Sequence, residues 1–110
     1  MKNLFKVYWT DESQSDIRRI IDYIAVNNPS MAKMVMLKIK EMGNNLKQFP
    51  QRGRKVPELL QNNIDYYHEI IHSPWRLIYK IESNNVFIIA VFDGRRNLED
   101  FLLERIISKN

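Results

Sequence analysis

Residues 65–96, DYYHEIIHSPWRLIYKIESNNVFIIAVFDGRR, decide the fold. Three runs rich in β-branched and aromatic residues are separated by Ser73-Pro74 and by Ser83-Asn84-Asn85, which are turn-forming residues. The pattern predicts three short antiparallel strands. In the middle run Trp75, Leu77, Tyr79 and Ile81 alternate toward one face, which is expected to be the core, so Arg76 points to the other. Gly94 ends the last strand and turns Arg95 and Arg96 outward. Guanidiniums far apart in sequence are thereby expected to converge on one patch of a small sheet, a suitable reader of anions or phosphates.

Upstream, Leu4 to Trp9 reads as a short strand. Thr10 or Asp11 caps a helix, with Gln14 placed as a capping-box partner of Asp11. Ile17, Ile20, Ile21 and Ile24 then lie on one face of that helix, which runs to about Val26. Asn27-Asn28-Pro29 breaks it, and Asn28 is placed to cap a second helix with Pro29 at its first position. The buried stripe of that helix is Ala32, Val35, Ile39, Met42, Leu46 and Phe49, up to Pro50. The short break predicts an antiparallel helical hairpin. Beyond it, QRGRKVPELLQNN (residues 51–63) reads as an irregular basic loop, because of Gly53 and Pro57. After the strands, Asn97 is placed to cap a short helix carrying Leu98, Phe101, Leu102 and Ile106 on one side. The sum is a single α+β domain over residues 1–110, with the hairpin packed on one face of a small antiparallel sheet. The neighbour of the first strand cannot be read.

Composition narrows the function classes. The chain is 45% apolar and 27% charged with a net charge of +4, which suits an acidic protein or nucleic-acid partner without requiring either. It contains no cysteine, so disulfides, thiolate metal sites and a cysteine nucleophile are excluded. No apolar run is long enough to cross a bilayer, and MKNLFKVYWTDE lacks a signal-peptide pattern, so a cytoplasmic location is expected. His68 and His72 on one strand are a weak metal signal, and neither metal nor cofactor is expected.

The segments DIRRIIDYIA (16–25), NPSMA (28–32), FPQRGRKVPE (49–58), SPWRLIYKI (73–81) and AVFDGRR (90–96), in this order, resemble the RelE/ParE toxins of type II toxin–antitoxin systems, also called plasmid-stabilisation proteins. The resemblance spans nearly the whole chain and implies a cognate antitoxin as partner. It also implies one of two activities. RelE-like members cut mRNA on the ribosome, where a ribose 2′-hydroxyl attacks phosphorus; this needs a proton acceptor, cations and a proton donor. Arg76 and Arg96 fall where that branch carries phosphate-stabilising arginines. The lysine-bearing strand of that branch reads here as His68-Glu69-Ile70-Ile71-His72, however, and its C-terminal proton-exchanging aromatic as Phe101-Leu102. His68 and His72 share a strand face and form the alternative acid–base set with Arg76 and Arg96, unless they only line a polar face.

ParE-like members bind DNA gyrase and are not nucleases. The depleted catalytic set and the long hairpin resemble that branch more closely. A gyrase-binding toxin is therefore the leading expectation, a ribosome-dependent mRNA endonuclease the alternative, and a toxin fold that has lost toxicity a third. Arg52, Arg54, Arg76, Arg95 and Arg96 are the residues expected to contact a target or an anion. Met31, Met34 and Met36, at the start of the second helix, are the expected antitoxin-binding residues, because an unbranched thioether suits adaptable surfaces.

Overall fold

The structure is a computed structural model of the chain, describing residues 4–95 and 98–107. The elements run β1 (Lys6–Trp9), α1 (Asp11–Ala25), α2 (Pro29–Asn44), β2 (Arg54–Lys55), α3 (Pro57–Leu60), β3 (Tyr67–His72), β4 (Trp75–Glu82), β5 (Asn85–Asp93) and α4 (Glu99–Ile107). They confirm the α+β class and the helical hairpin. Asn97, expected to cap the last helix, lies outside the described residues.

The sheet has five strands in the order β1-β5-β4-β3-β2. β3, β4 and β5 form the expected meander. β1 lies outermost beside β5 and runs parallel to it, so the sheet is mixed rather than antiparallel throughout. The β4–β5 register slips once, Ile78 facing Ala90 and Tyr79 facing Ile88, which leaves Ile89 as the extra residue of a β-bulge.

Thr10 caps α1, its hydroxyl accepting from Ser13 N at 3.2 Å. With the cap at Thr10, Gln14 makes no capping box; its amide donates to Trp9 O at 2.9 Å instead. Asn28 caps α2 by accepting from Met31 N, with Pro29 in the first turn. α2 stops at Asn44, and a 3-10 turn over Asn45–Lys47 follows. That tighter turn rotates the stripe, so Leu46 stays buried whereas Phe49, expected to be core, is 51% exposed. The basic segment after Pro50 is also less irregular than expected. Arg54 and Lys55 pair with Glu69 and His68 of β3, and Pro57 opens α3 instead of preventing it.

The sheet is covered on both faces. The hairpin buries Ile17, Ile39, Met42 and Leu46 against Leu77, Tyr79, Val86, Ile88 and Val91. On the opposite face α3 and α4 bury Val56, Leu59, Leu98, Leu102 and Ile106 against Tyr67, Ile78, Ala90 and Phe92. Each large side chain so buried contributes about 1.5–3 kcal/mol. The second layer decides the environment of Arg76, which the sequence had aimed at an open sheet face.

Candidate functional site

Arg76 lies beneath α3, only 8% exposed. Its Nη1 and Nη2 donate to Glu58 Oε2 and Oε1, both at 2.7 Å, in a bidentate fork. Its Nε donates to Glu69 Oε1, also at 2.7 Å, and Phe92 lies under the guanidinium at 5.5 Å. Glu69 is 1% exposed and takes a further bond from Arg54 Nε at 2.7 Å. Arg76 is therefore not displayed: two carboxylates occupy the fork that an anion would need. The Glu58 bonds, helped by those from Glu69 and opposed by burial, raise its already high pKa further, and Arg76 holds the Glu58 carboxyl below its usual 4.5. Gly94 makes room for this arrangement. A Cβ there would fall 2.6 Å from Arg76 Cδ.

The other sequence-predicted residues divide between the two faces and the rim. His68 and His72 share a face, as expected, but it is the hairpin face. His72 pairs with Trp75 and His68 with Tyr79, whereas Arg76 pairs with Ile71 and points the other way. The sheet itself separates the histidines from Arg76, so the structure does not assemble the acid–base set expected for the nuclease alternative. The two histidines are also about 13 Å apart along β3, too far to act on one proton. The His68 ring stacks on Tyr79 at 5.7 Å, and its buried Nδ1 has no hydrogen-bond partner among the described residues. Burial, assisted by Lys55 beside it, pulls its pKa below 6.5. His72 is exposed at the β3–β4 turn.

Arg54 is mostly exposed, but its Nε is committed to Glu69. Arg95 is fully exposed and its guanidinium pairs with Asp93, which raises its pKa. Arg96 lies outside the described residues. Arg52 is exposed and makes no ion pair among the described residues. Leu102 is buried and Phe101 packs edge-on to Phe92 at 6.1 Å, so neither offers an exchangeable proton. Among the described residues no three of His, Asp and Glu converge to hold a metal ion, and no helix is long and apolar enough to cross a membrane.

Met31 and Met34 line an open groove of about 600 Å³ between the hairpin and the β3–β4 turn, together with Val35, Leu37, His72 and Trp75. Met36 is half-exposed and lies outside that lining.

Sequence reasoning missed Glu58, Glu69 and Asp16 as organising carboxylates. Asp16 is buried on α1, accepting from Val91 N at 3.0 Å and from Arg105 Nη2 at 3.0 Å, while Arg105 Nη1 also bonds Ile89 O at 3.0 Å. These two side chains close the edge of β5 beyond the point where β1 stops at Trp9. They also join α1 to α4 across that edge. Arg19 pairs with Asp16 at 2.8 Å, as its helical spacing predicts.

A mixed five-stranded sheet with a helical hairpin packed on one face is the architecture that the resemblance to the RelE/ParE toxins implies. The chain belongs to the family described as ParE toxin of the type II toxin–antitoxin system, parDE, matching it over residues 7–98. It is 26% identical over 91 residues to Toxin RelE2 of Caulobacter vibrioides, covering 83% of this chain and 97% of that protein. To Toxin ParE3 of the same organism it is 26% identical over 94 residues, covering 84% and 90%. In fold it is similar to a chain of the chromosomal ParDE system from P. aeruginosa, with a TM-score of 0.67 and 17% identity over 84% of this chain and 98% of that one. It is also similar to a chain of the toxin–antitoxin complex RelBE2 from Mycobacterium tuberculosis, with a TM-score of 0.61, 17% identity, and coverage of 82% and 98%.

Proposed function

We propose that this toxin arrests growth by binding DNA gyrase in the cytoplasm, without cutting RNA, and that a cognate antitoxin neutralises it. The observation that carries this reading is the pairing of Arg76 with two carboxylates, those of Glu58 and Glu69. Cleavage by a 2′-hydroxyl needs a cation free to take up charge on the phosphorane and, within reach, a group that removes a proton. Arg76 has each of its three nitrogens bonded to a carboxylate, the two histidines lie across the sheet from it, and Phe101 and Leu102 transfer no proton. Binding, in contrast, needs only the shape and charge that remain on the surface. The antitoxin is proposed to cover the Met31–Met34 groove, where an amphipathic segment would bury apolar area now facing water.

Two assays on the purified chain test the reading. Supercoiling of relaxed plasmid by gyrase should fall as toxin is added and recover with antitoxin. Messenger RNA on translating ribosomes should stay intact at the same dose. Mapped, toxin-dependent cuts in ribosome-bound mRNA with supercoiling unaffected would overturn the proposal.

A further inference from the structure

The segment between α2 and β2 is bolted to the sheet by a side chain that the proposed function does not use. Tyr79 sits on central strand β4, fully buried. Its hydroxyl donates to Pro50 O at 2.8 Å and accepts from Gly53 N at 3.0 Å. A buried phenol must find partners, and here both lie in the same loop, on either side of its tip. Phe49 and Arg52 flank that tip, closed by Arg52 N–H donating to Phe49 O at 3.2 Å. Two further pins hold the exit of the loop. Arg54 Nε bonds Glu69, and Arg54 and Lys55 pair with β3. Gly53 permits the close approach, since a Cβ there would meet both Tyr79 Oη and Glu69 O at 2.5 Å.

The loop is anchored on its inner side and open on its outer side. Pro50 is buried, while Phe49, Gln51 and Arg52 face solvent around a shallow recess of about 510 Å³. An arginine beside an aromatic, on backbone already fixed, is the composition of a protein–protein hot spot, and prior fixing lowers the ordering cost of binding. A nucleic-acid track would instead present several uncommitted cations in a row. Here the neighbours of Arg52 at the recess are Phe49, Pro50 and two glutamines, and the Nε of Arg54 is already bonded to Glu69.

We propose that Tyr79 is a positioning residue whose hydroxyl holds loop 49–54 as a rigid knuckle, and that Phe49 and Arg52 on this knuckle contact an acidic surface of the protein that the toxin arrests. The inference rests on the toxin reading, though not on gyrase being the target. Its test uses Tyr79→Phe, Arg52→Ala and the double variant of the full chain. Amide hydrogen exchange over residues 49–54, growth arrest on induction, and affinity for the antitoxin are measured for each.

Tyr79→Phe should speed exchange in that segment and leave the hairpin protected, while weakening growth arrest several-fold. Arg52→Ala should weaken arrest about tenfold or more with exchange unchanged, as a hot-spot truncation does. The double variant should lose less than the sum of the two single losses, because the hydroxyl acts through the loop that presents Arg52. Antitoxin affinity should not move, and Arg52→Glu should be worse than Arg52→Ala. Should Tyr79→Phe fail to fold, Gly53→Ala loosens the same loop from the other side and must give the same pattern. Full potency in Arg52→Ala, additive losses in the double variant, or a loss of antitoxin affinity instead of arrest would each overturn the proposal. So would a duplex DNA probe whose binding falls with Arg52→Ala while arrest is unchanged. A wild-type chain that does not arrest growth contradicts the toxin reading itself, and is thereby distinguished from failure of the knuckle alone.

Discussion

Arg76 and Arg52 are the same residue type in one small basic chain, and their surroundings are opposite. Arg76 is roofed by α3, its fork filled by Glu58 and its Nε by Glu69. Arg52 stands on a pinned turn with its guanidinium in water. A cation with its counter-ions built in stabilises the fold and has little left to offer a ligand. A cation on rigid backbone, with no ion pair among the described residues, is the reverse: little for stability and available for a partner. Sequence alone draws attention to Arg76, which sits in the more conspicuous motif, and says nothing of the carboxylates that surround it.

The largest effect that would break this comparison is at Glu69. Glu69→Ala removes a fully buried carboxylate and leaves Arg76 and Arg54 each short of a partner. Breaking a buried ion pair costs about 3–5 kcal/mol, and about 4–8 °C of Tm is lost per kcal/mol in a domain this size. Thermal unfolding should therefore drop by more than 10 °C; a shift of a few degrees would mean that the cluster is not what holds α3 down.

Asp16→Asn comes next. It keeps the shape but weakens four charge-assisted bonds, two to Arg105 and one each to Arg19 and the Val91 amide. A loss of about 1.5–3 kcal/mol is expected in urea unfolding, with faster exchange along β5 and α4.

The pH dependence is smaller and separates two sites. His68 has a pKa below its ordinary 6.5 in the folded chain, so the unfolded chain takes up the proton first as pH falls. Its contribution is complete above about pH 6.5 and declines below that, down to the folded pKa. His68→Phe keeps the ring on Tyr79 and should flatten Tm between pH 7 and the onset of carboxylate protonation. Glu58 acts lower: its stabilisation is present above 4.5 and is lost as pH falls below that through its depressed value. A single transition centred near 4.5 in both wild type and His68→Phe would contradict the assignment to His68.

Smallest in stability is Arg52→Ala, within about 0.5 kcal/mol of wild type, as for other surface changes. It should nonetheless weaken growth arrest more than any of the substitutions above does per folded molecule.

Much of the fold was legible because its signals are local. The isoleucine spacing of α1, the cap at Asn28 with Pro29, and the alternation through β4 each act within one or two turns or strands. The pairing of β1 with β5 was not legible, since a parallel contact across most of the chain leaves no mark near either strand. Phe49 was misread because the change to a 3-10 turn after Asn44 shifts the helical phase, and one residue of phase moves a side chain from core to solvent.

The site was partly readable. A two-residue turn at Ser73-Pro74 already places His72 opposite Trp75, and hence Arg76 on the face of Glu69 and away from both histidines. That register was enough to find one carboxylate partner. Glu58 was beyond reach, because its helix folds back over the sheet through contacts that no periodicity encodes. The same is true of Tyr79, whose spacing marks it as core and says nothing of the loop its hydroxyl holds.

The most direct test of the account is Arg76→Ala, with urea unfolding and gyrase inhibition measured on one preparation and inhibition expressed per folded molecule. The expected result is a loss of about 3–5 kcal/mol in stability, with inhibition by the remaining folded protein unchanged. A variant that stays as stable as wild type and no longer inhibits would make Arg76 a contact or catalytic residue, and would contradict the account.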